Sequence, residues 1–202
     1  MKLSEYIKAK YVFSGKRTGW FAFILMAGLT LLFTLWFPST KFQYDNYLLA
    51  AGSQYYRILT AHFVHHNLFH LLFNLLGLLV IALLHSRHYK FWQWTLSVIL
   101  LCIFISYGMH YVYPSQTNYV GFSAVLYGLI MIGAIADMLT GIKSGYLIFI
   151  LVIAKVVYEQ MHGGNETIEY LIQIPVAINA HLLGVVSGIF IGILLPFTLP
   201  RL

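Results

Sequence analysis

The chain has 202 residues, a formal charge of +6, 60% hydrophobic residues and 9% charged ones, with a mean hydropathy of +0.79. A soluble domain carries roughly 25% charged residues, so a soluble enzyme is excluded, and so is the nucleic-acid partner that a basic balance otherwise suggests. What remains is an all-α polytopic membrane protein with most of its length in a lipid bilayer.

Residues 1–19 contain Lys2, Lys8, Lys10, Lys16 and Arg17 and are read as a basic cytoplasmic tail. They do not resemble a cleaved signal peptide: the basic region is long, and no small-residue cleavage site follows the first apolar run. Residues 20–199 form the expected membrane domain. A span needs about 20 mostly apolar residues, which predicts six: Trp20–Phe37, Thr60–Leu84, Phe91–Tyr113, Ser123–Leu139, Gly145–Tyr158 and Asn179–Leu199.

Six spans put both termini on one side. Nine basic residues then share that side (the five of the tail, Arg87, Lys90, Lys143 and Arg201), against Lys41, Arg57 and Lys155 opposite. The positive-inside rule makes that side the cytoplasm. The single cysteine, Cys102, lies in an apolar stretch and allows no intramolecular disulfide. Neither an internal repeat nor a linker long enough for a second domain is present.

Several polar residues are out of place in such a chain. The second predicted span runs inward carrying His62, His65, His66, His70 and Asn74 in its outer half. His62, His66, His70 and Asn74 are four apart, which predicts one face of a helix. A polar stripe in a membrane helix is expected to face the bundle interior. The fourth span also runs inward and begins at Ser123; the sixth does the same with His181 near its start. Three connections therefore deliver polar groups to one depth, in the outer half of the bilayer.

Each residue alone has a structural reading. Ser123 suits a helix N-cap, and His181 suits a satisfied bundle histidine. Histidines four apart suit zinc, but no cysteine or outer-leaflet carboxylate completes a ligand set, so neither a metal nor another cofactor is expected. Together they suit acyl-transfer chemistry, which needs a serine beside a base and donors for an oxyanion. His181 is placed to be the base, since His110 and His162 lie at or beyond the membrane edges. His70 and Asn74 offer side-chain N–H groups, and the helix start at Ser123 offers backbone ones. No acid residue lies within a turn of His181, so a Ser–His dyad is expected. Gly184 and Gly188 allow close approach of another helix, and Gly121 and Gly128 flank the serine.

These residues resemble the rhomboid family of intramembrane serine proteases, from about Tyr56 to Gly192. His-x4-His-x3-Asn is found as His65, His70 and Asn74; Gly-x-Ser as Gly121, Phe122 and Ser123, with Tyr127 four residues on; Ala-His-x2-Gly-x3-Gly as Ala180, His181, Gly184 and Gly188. The resemblance implies a six-transmembrane-helix bundle in which Ser123 is the nucleophile and His181 the general base and acid. His70 and Asn74, with the Ser123 amide, would form the oxyanion hole; His65 would be structural, and Tyr127 would pack on the His181 ring. Two positions depart from the family pattern: Tyr56-Arg57 replaces a Trp-Arg pair, and Ala124 replaces the glycine after the serine.

Within the family the chain looks most like a rhombosortase, because it is compact and its fifth span ends in Lys155-Val-Val-Tyr-Glu159. Lys155 and Glu159 are four apart and suit an ion pair, either as a helix-end anchor or as a substrate-recognition element. That resemblance implies a bacterial inner-membrane enzyme, opening to the periplasmic side. Its substrates would be single-span proteins with a C-terminal Gly-Gly-type sorting tail, released by water or by transfer to a lipid-derived amine. A general rhomboid protease of other single-span substrates and an inactive rhomboid-like binder of membrane clients share these motifs. Substrate would enter sideways from lipid, with the fifth span and residues 163–175 as candidate gates around the flexible Gly163-Gly164.

Overall fold

The computed structural model describes residues 18–198. The basic residues of the tail and Arg201, six of the nine assigned to the cytoplasmic side, lie outside the described residues. In chain order the elements are α1 (Thr18–Trp36), α2 (Ser39–Phe42), β1 (Tyr44–Asp45), α3 (Asn46–Ala50), α4 (Arg57–Thr60), α5 (Leu68–His85) with a 3-10 turn at Ser86–His88, α6 (Phe91–Val112), β2 (Asn118–Tyr119), α7 (Ser123–Leu139), α8 (Ser144–His162), α9 (Glu166–Ile172) and α10 (Ile178–Thr198).

Three helical stretches are long and apolar enough to cross a membrane: Leu68–His88, Phe91–Val112 and Ser144–His162. Trp20–Trp36, Ser123–Leu139 and Ile178–Leu194 are apolar but shorter. The exterior is apolar as well, with Phe21, Ile24, Leu83, Phe104, Ile150 and Phe190 among the exposed side chains. A surface of that kind on so many helices needs lipid against it. The protein is a multi-pass integral membrane protein.

The second predicted span is corrected by the structure. Thr60–Leu84 is not one helix: α4 ends at Thr60, a turn follows, and α5 starts only at Leu68. The break lies at Asn67, whose extended backbone (φ −148°, ψ 177°) and side chain, accepting from the His70 N–H at 2.9 Å, cap the new helix. An asparagine just before an apolar run is a strong N-cap, worth about 1 kcal/mol. The expected His62/His66/His70/Asn74 stripe therefore does not form. Only His70 and Asn74 share the face of α5; His62 is buried elsewhere, with Nε2 3.1 Å from Ser106 Oγ. The helix of the fifth predicted span, α8, is longer than expected, running to His162 and ending at Gly163, whose φ of +87° favours glycine.

The buried centre of the molecule is α7, with Ala124, Val125, Leu129, Met131 and Ala134 fully enclosed. Small residues bring α10 against it. A Cβ on Gly184 would collide with the Ala124 carbonyl oxygen, and one on Gly188 would lie 2.5 Å from the Gly128 carbonyl oxygen. Glycines at helical spacing allow this backbone-to-backbone approach. At the far end of α7, the buried Asp137 meets His88 Nε2, Arg87 Nη2 (2.9 Å) and His85 Nε2 (3.4 Å). That cluster ties α7 to the end of α5.

Candidate active site

Ser123 is the first residue of α7, and its position is set by the chain on either side. The strands β1 and β2 pair antiparallel, Tyr44 with Tyr119 and Asp45 with Asn118. The Gly121 N–H then donates to the Ala61 carbonyl at 3.0 Å, and the Tyr119 hydroxyl donates to the Gly121 carbonyl. Gly121 has φ +111°, a backbone turn that side chains disfavour, and its bare face lies against the His70 ring.

The N-cap position of α7 falls on Phe122, whose side chain caps nothing, so the Ser123 hydroxyl is not the helix cap. It lies 2.9 Å from His181 Nε2 instead. His181, in the first turn of α10, reaches the serine because Gly184 lets α10 settle on α7 one turn below. Its ring is packed by Tyr127, with centroids 4.4 Å apart at 34°.

Behind the imidazole stands Glu159, with Oε2 3.0 Å from His181 Nδ1. The expectation that no acid flanks His181 is therefore corrected: the acid comes from α8, 22 residues back in the chain, and not from the helix that carries the histidine. Glu159 is one of three buried residues on α8, with Gly145 and Val156. Its other oxygen, Oε1, accepts from Lys155 Nζ at 2.7 Å and from the Tyr127 hydroxyl at 3.4 Å. The predicted Lys155–Glu159 pairing is thus present, but it points into the site as well as along the helix.

An ionised carboxylate only accepts, so it assigns the imidazole proton to Nδ1. Nε2 then carries the lone pair, and the serine hydroxyl donates to it. This is the arrangement in which a base can take the hydroxyl proton.

His70 and Asn74 reach the same cavity from α5. Asn74 Nδ2 donates to the His70 carbonyl at 2.9 Å, which leaves one amide N–H uncommitted. His70 Nδ1 and Asn74 Oδ1 have no hydrogen-bond partner among the described residues. His65 does not enter the site directly. It accepts from the Phe122 N–H at 3.4 Å through Nε2, and its Nδ1 lies 2.9 Å from Thr34 Oγ1, which itself donates to the Phe63 carbonyl. Read with the proton on Nδ1, every one of these contacts is satisfied, and His65 links α1 to the residue before the serine.

The cavity holding these groups has a volume of about 700 Å³. Its walls come from α5, α7, α8, α9 and α10, and include Ser123, His181, His70, Asn74, Lys155 and Glu159. Of the residues singled out from the sequence, Ser123, His181, His70, Asn74, Tyr127, Lys155 and Glu159 meet here; Gly121, Gly184, Gly188 and His65 set the surrounding backbone. Sequence reading missed the inward role of Glu159. Its one signal was a carboxylate in a membrane helix, which is costly unless paired.

A search among curated proteins finds no match. Comparison with protein families matches residues 52–196 to the Rhomboid domain. That stretch runs from before α4 into the last turn of α10 and contains every residue of the cavity named above, so the chain belongs to the rhomboid family.

Proposed function

We propose that this protein is an intramembrane serine endopeptidase that cleaves single-span membrane proteins. Rhomboid proteins are generally intramembrane serine proteases. One observation carries the reading for this chain: the Ser123 hydroxyl at 2.9 Å from His181 Nε2, at the wall of a cavity whose mostly apolar lining is broken by His70, Asn74, Lys155 and Glu159. Buried polar groups of this kind are tolerated in a membrane where they line a wet cavity.

In the reaction, Ser123 Oγ bonds to the scissile carbonyl carbon as its proton passes to His181 Nε2. The carbonyl π pair moves onto oxygen, where N–H groups of His70, Asn74 and the Ser123 amide hold the developing charge. Collapse breaks the C–N bond, the leaving amine takes the proton from Nε2, and an acyl-enzyme remains. Water, or an amine, gives its proton to Nε2 as it attacks the ester, and Ser123 Oγ recovers that proton on leaving. A serine thus makes two easier steps of one.

The finer reading is rhombosortase-like: a six-span bacterial inner-membrane enzyme with cytoplasmic termini and a periplasmic opening. Its substrates would be proteins with a C-terminal Gly-Gly-type sorting tail. The Lys155–Glu159 pair supports it. Substrate enters from lipid past α8, which has few buried residues, and past residues 163–175, whose α9 forms part of the cavity wall.

The test is co-expression of wild type or Ser123→Ala with a Gly-Gly-tailed single-span reporter, followed by mass measurement of the released product. Cleavage by wild type and none by Ser123→Ala supports the reading. A mass matching a free carboxylate indicates hydrolysis, and a heavier one indicates transfer. Release by Ser123→Ala at the wild-type rate removes the proposed nucleophile.

A further inference from the structure

The two oxygens of Glu159 face different partners, and neither partner set is interchangeable. Oε2 faces His181 Nδ1 at 3.0 Å, while Oε1 takes Lys155 Nζ at 2.7 Å and the Tyr127 hydroxyl at 3.4 Å. The Glu159 side chain is 4% exposed, whereas Lys155 is 49% exposed. A buried carboxylate is retained at cost unless its bonds are made, and here one of those bonds goes to the imidazole that meets the serine.

We propose that Glu159 is a positioning residue that holds His181 in the Nδ1-protonated tautomer, and that Lys155 fixes which end of the Glu159 side chain faces the imidazole. This rests on the protease reading, since the tautomer matters only if Nε2 must accept the serine proton. It extends the two-residue site to a Ser123–His181–Glu159 line, and it gives Lys155 a task other than holding substrate. The orienting carboxylate of a serine protease triad supplies the general logic: turning that acid into its amide leaves the geometry but selects the wrong tautomer.

The asymmetry makes the consequence specific. In Glu159→Gln the side-chain oxygen stays with Lys155 Nζ, which can only donate. The amide nitrogen then falls opposite His181 Nδ1 and donates to it, moving the imidazole proton to Nε2. An Nε2–H cannot take the serine proton. Replacing Lys155 as well frees the amide to rotate, because the Tyr127 hydroxyl can accept as readily as it donates. The double variant should therefore be more active than Glu159→Gln alone, the reverse of what adding a second lesion normally does.

The experiment pairs a spectrum with kinetics on the full-length protein in detergent. Two-bond ¹⁵N–¹H correlation of ¹⁵N-histidine-labelled protein reads the tautomer, with His181→Ala identifying the signal and no substrate required. Cleavage of the fluorescently tagged Gly-Gly reporter gives kcat and KM for wild type, Ser123→Ala, E159Q, K155M and E159Q/K155M. The proposal expects Nδ1–H in wild type and Nε2–H in E159Q. It expects kcat to fall by about 10²- to 10⁴-fold with little change in KM, and E159Q/K155M to recover about tenfold over E159Q. A rise in KM at unchanged kcat would make the pair a substrate-binding element and overturn the proposal. So would any tautomer other than Nδ1–H in folded wild type, which decides the matter even if E159Q does not fold. Activity surviving in Ser123→Ala would instead sink the protease reading, while the spectra still report on Glu159.

Discussion

Ser123, Gly121 and His70 form a set in which one bare backbone position governs two functional groups. A Cβ at Gly121 would lie 2.6 Å from His70 Cε1 and Nε2, at a φ of +111°. Gly121→Ala therefore both strains the turn and displaces the His70 ring. A misplacement near 1 Å can cost up to about 10²-fold in rate, so kcat for reporter cleavage should drop by that order while the protein still folds. Unchanged kcat in Gly121→Ala would mean that His70 does not serve the reaction. Gly184 has a related task at a larger scale. Its Cβ would meet the Ala124 carbonyl oxygen, a backbone atom that cannot swing away. Gly184→Val should separate α10 from α7, lower the thermal midpoint by an amount matching about 1–3 kcal/mol, and break the serine–histidine contact.

Among the elements, α5 and α9 are linked by a hydrogen bond from one residue. Asn67 caps α5 through its oxygen and, through Nδ2, donates to the Leu171 carbonyl of α9 at 2.9 Å. Asn67→Ala loses both bonds; Asn67→Ser keeps a good cap but gives up the reach to α9. If α9 is part of a gate, Asn67→Ser should alter KM for the reporter while leaving the thermal midpoint within a degree or two, and Asn67→Ala should lower both stability and kcat. Equal behaviour of the two variants would leave the tie to α9 without a role.

The same region explains what was legible in the chain. His70, Asn74, Gly121, Ser123, His181 and Gly184 belong to short local patterns whose spacing alone suggests a role. The break at Asn67 was readable too, as an N-cap residue before an apolar run, but the long hydrophobic stretch around it masked the signal. The partnership of Glu159 with His181 could not be read from spacing. It depends on α8 packing beside α10 with one inward-facing turn, and the chain between them reveals nothing of that angle.

For the molecule as a whole, the two ends of α7 carry separate polar devices. Ser123 stands at one end; Asp137, 14 residues on, is about 21 Å away along the axis at 1.5 Å per residue. Asp137 is 1% exposed and gathers His85, His88 and Arg87 around it. Asp137→Ala leaves the buried His88 short of its hydrogen-bond partner and removes the carboxylate beside His85, a loss of about 1–3 kcal/mol, seen as a lower thermal midpoint in detergent. At a temperature where the variant stays folded, fluorophosphonate labelling of Ser123 should match wild type, because none of the four residues of this cluster lines the cavity. A loss of labelling without loss of stability would mean that the two ends of α7 are coupled. Orientation belongs to this scale as well. With nine of the basic residues assigned to one side, cysteines introduced near Lys143 should react with impermeant reagents only from the cytoplasm.

The pairing of Ser123 with His181 is tested most directly by a fluorophosphonate, which forms a stable bond only with a serine whose hydroxyl proton can be removed. Purified wild type should be labelled at Ser123 alone, as located by peptide mass spectrometry, and both Ser123→Ala and His181→Ala should take up no label. Labelling of His181→Ala at the wild-type rate, or a modified residue other than Ser123, would contradict the account.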